Sequence, residues 1–542
     1  MGSAYLMVLA LVLFGFGYAF YGRFVARRLG IDPARPTPAH TMTDGVDYVP
    51  AKAPILFGHH FASIAGAAPI IGPITAAVFG WIPVYLWILL GSIFIGGVHD
   101  TSAIVASIRH QGKSIGEIIE EHVGESGKKL FLIFAWTTLV LVVAVFTIVV
   151  AKTFVSVPAA ATASILFLLL ALLFGAGVYR YHLHVGIATL IGVILLFTCV
   201  YLGLVFPIHL SMNVWIYLLL GYIFVASVTP VWILLQPRDY LNSFLLYTLI
   251  LGAVLGIFIG NPKIQLVGYS QFHTDLGYLF PILFVTVACG AISGFHSLVG
   301  SGTTAKQLDK ETDARIIGYG GMLTEGLLAV VALTAAAVLL KSDYASFLTK
   351  SGGGPIALFS TSVGNFMGAL GIPVHVGKTF AALAVSAFAL TSLDTATRLS
   401  RYAFQEFFEK PGVVKQSILS KNRFIGTAVS VFFGGALALS GQWKAIWPIF
   451  GSANQLLAAL ALLAVSVWLG WLGTKNAFTR YPMYFMFAVT LTALINLIVK
   501  NLLNQNYLLM VMAILLFIVA VVLALQAYAS MRKGHKTAVQ EA

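Results

Sequence analysis

The chain has 542 residues, of which 59% are hydrophobic and 9% charged, with a formal net charge of +13. That much apolar surface excludes a soluble globular domain. Apolar stretches of about twenty residues recur along the chain and mark a polytopic membrane protein with helical spans, because backbone amides in lipid must bond within their own segment. The positive charge does not point to nucleic acid, since no basic run is long and the basic residues stand between apolar spans. Cys199 and Cys289 lie inside apolar stretches, so no disulfide framework is expected.

Fifteen spans are predicted: 4–22, 58–80, 81–108, 130–151, 160–179, 184–206, 213–236, 242–260, 278–300, 316–340, 377–398, 424–441, 445–470, 481–499 and 505–528. The first has no basic residue before it and Arg23, Arg27 and Arg28 after it, the reverse of a cleavable signal peptide, so it is read as retained. The loop 23–57 holds Pro33, Pro36, Pro38, Pro50 and Pro54 and should lack long helices. With the N-terminus outside, basic clusters fall on inner loops: Arg109, Lys113, Lys128 and Lys129, then Lys306, Lys310 and Arg315, then Arg398, Arg401, Lys421 and Arg423. The C-terminus is then cytoplasmic. The outer loop 341–376 is too polar and glycine-rich for a further span and is expected to fold back as a lid.

The second span reads "GHHFASIAGAAPIIGPITAAVFG" and carries four glycines and two prolines. Pro69 removes an amide and clashes with the preceding turn, and Gly66 permits non-helical angles. The freed backbone groups must line a polar cavity or be buried in protein. Setting aside the first span and the last four leaves ten, which divide into two fives, 58–206 and 213–398, of opposite orientation. The opening span of the second five, "VASVTPVWILLQPRDY", also has breakers, Pro230 in mid-span and Pro237 at its inner end. Discontinuous helices at matching positions of inverted halves point to a transporter's binding site, where amides suit a carboxylate and carbonyls suit a cation or an ammonium group. The competing reading is a close-packed helix pair, which also uses residues such as Gly66, Ala67 and Ala68. The chain thus divides into a leading helix and cytoplasmic loop (1–57), a first repeat (58–206), a second repeat (213–398), and C-terminal helices with a cytoplasmic tail (399–542).

The stretches "FGHHFASIAGAAPIIGP", "GGVHDTSAIVASIRHQGKSIGEI", "PVWILLQPRDYLN", "GFHSLVGSGTTAKQL", "TSLDTATRLSRYAFQE" and "WPIFGSANQLLAALAL" together resemble the carbon starvation protein A family over residues 57–462. The resemblance implies a bacterial inner-membrane permease, induced when carbon runs short and associated with peptide uptake; some members look like proton-coupled pyruvate carriers. It also implies an all-α, LeuT-like five-plus-five inverted repeat with one leading and four trailing helices. In that arrangement the first and sixth core helices hold substrate, which here means Gly66, Ala67, Ala68 and Pro69 with Ser227, Thr229, Pro230 and Trp232. Trp232 is equally an ordinary packing aromatic. A sodium site would draw hydroxyls from the third helix of the second half, read here as the segment with Ser293 and Ser297, although such hydroxyls also bond back to helix carbonyls. His296 lies among them, and a protonatable imidazole favours a coupling proton, with sodium second.

Four further groups are candidates. His59 and His60 precede the first break by one to two turns, and with His99 and Asp100 they would form an inner relay or gate, or else polar packing at an inner vestibule. Glu325 sits in mid-span, where an ionisable group is costly, and is taken as a coupling residue. Asp394 and Arg398 are spaced to pair on one helix face, and Arg238 and Asp239 sit at the inner end of the seventh span; the four resemble an inner-gate network or solvated surface charge. No metal and no cofactor are expected. The leading function is a secondary transporter of small peptides, with a pyruvate symporter as the alternative and a nutrient receptor as the non-transport reading. An enzyme ranks last, since neither a zinc-protease HExxH, a nucleophile elbow nor a P-loop is present.

Overall fold

The computed structural model describes residues 2–45, 47–349, 353–409, 417–440 and 443–540. Its helices follow the predicted spans in order. They are α1 (Ala4–Arg28), the bent pair α2 (Ala53–Ile64) and α3 (Ala68–Phe79), α4 (Trp81–Arg109), a short α5 (Ile115–Val123), α6 (Glu125–Ser156), α7 (Pro158–Arg180) and α8 (Val185–Val205). Next come α9 (Met212–Val228), α10 (Leu235–Gly260), the half-helices α11 (Leu279–Thr286) and α12 (Gly294–Val299), and α13 (Arg315–Ala337). The rest are α14 (Lys341–Leu348), α15 (Gly354–Gly368), α16 (Val374–Phe407), α17 (Arg423–Leu439), α18 (Ile446–Trp471), α19 (Ala477–Leu503) and α20 (Leu509–Ser530). By length and composition the chain is a multi-pass membrane protein.

The side bearing Arg109, Lys113, Lys306 and Arg315 is called the basic face below. Among its described residues, the loop 29–52 on that face holds only the four-residue helix Pro38–Thr41, as its prolines dictate. The loop 341–376 is more ordered than expected. Around the undescribed residues 350–352 it forms α14 and α15, and Tyr344 donates to Ile74 O at 2.7 Å. It therefore lies on the far end of α3, opposite the basic face.

Packing follows a mirrored pattern. Among the described residues, α6 lies along α16, α4 along α13, α9 against α17, and α10 against α2 as α18 lies against α12. The hairpin of α7 and α8 packs beside α10, α1 lies on α13, and α19 and α20 close over α18.

One expectation is corrected. The segment 213–236 is not a span broken in its middle. Helix α9 stops at Val228, the turn 229–234 follows, and α10 starts a new span at Leu235. Pro230 and Pro237 punctuate a connection, where a missing amide costs least. The second interrupted span lies at 279–304, where α11 stops at Thr286 and α12 starts at Gly294. Its breakers are glycine and serine, which carry a weaker signal than proline.

Candidate functional site: two helix breaks and a buried ionisable chain

At the first break, Pro69 has no N–H for the Ala65 carbonyl four residues back, and its ring would collide with that carbonyl. Ala65 accordingly leaves the helical region (φ −80°, ψ 50°) and Gly66 N–H turns back to Ile64 O at 2.9 Å. The halves diverge by 45°. Ala67 and Ala68 open α3, so their amides have no intrahelical acceptor, and both residues are buried. A Cβ on Gly66 would stand 2.6 Å from Ser392 Oγ and 2.7 Å from the Phe146 ring, so no larger residue fits. Ser392 donates to Ser63 O at 2.9 Å, and Ser63 Oγ meets Thr395 Oγ1 at 3.2 Å. Sequence reasoning missed these α16 hydroxyls.

At the second break, Val287–Ser293, the backbone is held by α18. Asn454 Oδ1 accepts from Phe295 N–H at 2.8 Å, its amide nitrogen lies 3.0 Å from Ser293 Oγ, and Gln455 donates to Phe284 O at 3.0 Å. Asn454 and Gln455 are fully buried. They lie in the motif "WPIFGSANQLLAALAL", where sequence reasoning missed them, although polar side chains in so apolar a helix are the signal that could have found them. On the opposite side, Ser92 donates to Gly290 O at 2.8 Å. The two breaks abut: a Cβ on Gly72 would lie 2.5 Å from Thr286 O, and one on Gly290 (φ +92°) would lie 3.6 Å from Pro69 Cβ.

Beside the second break runs a chain of ionisable groups. His99 Nδ1 lies 2.7 Å from Asp100 Oδ1, His296 Nδ1 lies 2.9 Å from Asp100 Oδ2, and His296 Nε2 lies 3.2 Å from Glu325 Oε2. Helices α4, α12 and α13 each supply a member, and every member is at most 1% exposed. An imidazole between two carboxylates can carry an N–H group on each nitrogen. Neither His296 Nε2 nor either Glu325 oxygen makes a hydrogen bond among the described residues, so their contact is one of ion-pair distance alone.

The four-member His59–His60–His99–Asp100 cluster is not formed. Successive helical positions diverge by about 100°, so His59 Nδ1 turns to Asp239 Oδ2 at 2.9 Å and His60 Nδ1 to Thr304 Oγ1 at 2.8 Å. Nor do Asp394 and Arg398 pair. Asp394 bonds Arg238 and Tyr222, while Arg238 also holds Asp239 Oδ1 at 2.6 Å. Arg238, Asp239 and Asp394 are at most 1% exposed, which rules out solvated surface charge. A guanidinium with five donors bonds two buried carboxylates that a neighbour one turn away could not reach together. Arg398 instead donates to the Ala226 and Thr229 carbonyls at the end of α9 and lies 3.7 Å from Asp47 Oδ1.

The remaining predicted residues lie on this network's basic side. Ser227 meets Thr427 at 3.1 Å, Thr229 bonds back to Val225 O at 2.8 Å, and Trp232 donates to Gly45 O at 3.0 Å. The structure does not bring them to Gly66–Pro69. Ser297 likewise bonds back, to Gly294 O at 2.7 Å. The loop carrying Gly45 and Asp47 docks here, with Tyr402 OH donating to Asp47 at 2.5 Å and Tyr48 OH to Gln111 O at 3.0 Å. Burial pushes the Asp47 carboxyl up, but Lys306, Arg398, the Tyr402 hydroxyl and Arg401 outweigh it and hold it below the usual carboxylate range.

The family profile described as "Carbon starvation protein CstA" matches residues 2–352 and 346–493. Curated relatives include the "Pyruvate/proton symporter BtsT" of Escherichia coli, 31% identical over 86% of this chain and 77% of its own length. The "Peptide transporter CstA" of Escherichia coli is 33% identical over 86% and 76%, and that of Campylobacter jejuni 32% over 90% and 79%. Among solved structures, an Eremococcus coleocola manganese transporter in complex with an aromatic bis-isothiourea substituted compound superposes with a TM-score of 0.52 at 11% identity, covering 91% of this chain and 99% of that one. At that identity the likeness concerns the fold, which is of the LeuT type.

Proposed function

The chain belongs to the carbon starvation protein CstA family, and from that premise we propose that it is a proton-coupled secondary transporter importing small peptides across the bacterial inner membrane. The observation that carries the reading is the buried Asp100–His296–Glu325 chain, which joins three helices beside two abutting helix breaks. The basic face is the cytoplasmic side, with the N-terminus outside and the C-terminus inside.

The second half starts at Leu279, and α7 and α8 are an insertion within the first half. The mirrored packing supports this division: α2–α3, α4, α6, α9 and α10 correspond to α11–α12, α13, α16, α17 and α18. The third helix of the second half is then α16, whose Ser392 hydroxyl donates to the Ser63 carbonyl and whose Thr395 hydroxyl meets Ser63 Oγ. The amides of Ala67 and Ala68 receive the substrate carboxylate at the start of α3. Glu325 and His296 take up the coupling proton. Arg238, Asp239 and Asp394 with His59 close the inner route, and the Asp47 loop seals it from the cytoplasm.

Pyruvate is the second substrate reading. It is favoured by the pyruvate/proton symport for which the BtsT relative is named, and by the same amides, which suit any small carboxylate. The experiment is uptake of di- and tripeptides and of pyruvate into proteoliposomes, with pH and sodium gradients imposed separately. Accumulation under the pH gradient alone is expected. Equilibrium binding without flux would turn the reading to a nutrient receptor, and uptake driven only by sodium would refute proton coupling.

A further inference from the structure

Outside the transport route, the basic face holds a hollow of about 520 Å³ lined by His110, Glu121, His122, Trp468 and Trp471, with Arg109 and Lys113 at its edge. His110 follows the last turn of α4, and Glu121 and His122 close α5. His110 Nδ1 lies 2.6 Å from Ala106 O and donates to it. That bond fixes the tautomer and leaves the Nε2 lone pair to accept from His122 Nε2–H or to bind an ion. Nε2 points at His122 Nε2, 3.3 Å away, and at Glu121 Oε2, 3.7 Å away. The three atoms lie within 4.8 Å of one another.

These distances have a metal's proportions. Two nitrogens bound to a tetrahedral zinc ion at about 2.0–2.1 Å stand about 3.3 Å apart, and a carboxylate oxygen about the same. The two nitrogens already have that separation, and Glu121, whose side chain is 63% exposed, is free to rotate its carboxylate into place. The Nδ1–H to carbonyl bond of His110 is the outer contact that metal-ligating histidines use to orient the ring. The nearby cations are engaged elsewhere, Arg109 with Glu311 and Lys113 with Glu117 at 3.7 Å, so neither neutralises Glu121. The Trp468 ring packs edge-on against His110 (5.7 Å between centroids).

We propose that His110, Glu121 and His122 bind a divalent transition metal, zinc foremost, with the fourth position open to water in the hollow. The ion would tie the end of α4 to the end of α5 beneath α18. This site is independent of the transport reading.

The test uses the full-length protein without an affinity tag, stripped by chelator and titrated with Zn²⁺ against a competing chromophoric chelator. Co²⁺ serves as a spectroscopic probe, with Trp468 and Trp471 fluorescence as a second signal. We expect one equivalent of metal, tetrahedral Co²⁺ bands, and affinity lower by at least tenfold in His122→Ala and in Glu121→Gln. Both side chains are solvent-accessible, so the variants should melt like the wild type without metal. The proposal is overturned if His122→Ala binds Zn²⁺ as tightly as wild type. It is equally overturned if Co²⁺ keeps an octahedral, water-like spectrum, or if the bound equivalent is lost in Cys289→Ser, which would place it at the buried Cys289–His296–Glu325 group instead.

Discussion

Asn454→Ala tests whether α18 holds the second break in place. Asn454 Oδ1 is the acceptor for Phe295 N–H, a first-turn amide of α12 that has no acceptor within its own helix. Both residues are buried. A buried donor left unpaired costs about 1–3 kcal/mol, and loss of a helix-start cap costs about 1 kcal/mol. The two overlap on the same amide, so the expected cost is about 2–3 kcal/mol, or roughly 30- to 150-fold in the population with the break ordered. Hydrogen exchange reads this directly: segment 287–296 should exchange faster by that factor while α6 and α16 stay protected. Uptake into proteoliposomes should fall in parallel, because α12 carries His296. Asn454→Leu separates bonding from volume, since it fills the space without an acceptor and should behave like alanine. Wild-type exchange in the alanine variant, or full recovery in the leucine variant, would refute the reasoning.

His296→Ala should abolish or uncouple pH-driven uptake with the fold intact, measured under imposed pH gradients; a wild-type pH dependence would remove His296 from the mechanism. Arg238→Met leaves the buried carboxylates of Asp239 and Asp394 without their common partner and should destabilise by about 3–5 kcal/mol, seen as a lowered melting temperature that Asp394→Asn added to it partly restores; an unchanged melting temperature would contradict the network. Gly72→Val places methyl groups where the Thr286 carbonyl lies 2.5 Å from a Cβ position, so the breaks should separate and uptake fail, and normal uptake would show that they need not touch. The Asp47 carboxyl lies below its unfolded pKa, so its contribution is present above about pH 4 and is lost as pH falls through the folded value. Proteolysis of the loop around Asp47 should therefore rise only in strong acid for the wild type and already at neutral pH for Asp47→Asn; equal protection of both would exclude the latch.

Most span positions, the break at Gly66–Pro69 and the presence of His296, Glu325 and Asp100 as ionisable groups within spans were legible along the chain. Each rests on a local rule, namely the length of apolar runs, the missing amide of proline and the cost of an ionisable group in lipid. The partners were not legible. Asp394 faces the Arg238 guanidinium rather than Arg398, and His59 and His60 part to opposite neighbours, because a buried carboxylate takes whichever donors the packing brings to it from other helices. The second break escaped notice because Gly290 and Gly294 interrupt a helix only where neighbours supply the lost bonds. The neighbours that do so, Asn454 and Ser92, lie more than a hundred residues away along the chain. By itself the sequence determined that the chain is a multi-pass helical membrane protein, where most of its spans lie and which of their residues are ionisable. Only the tertiary structure decided which of them meet, since hydrogen bonds and ion pairs between helices depend on packing that no single segment encodes.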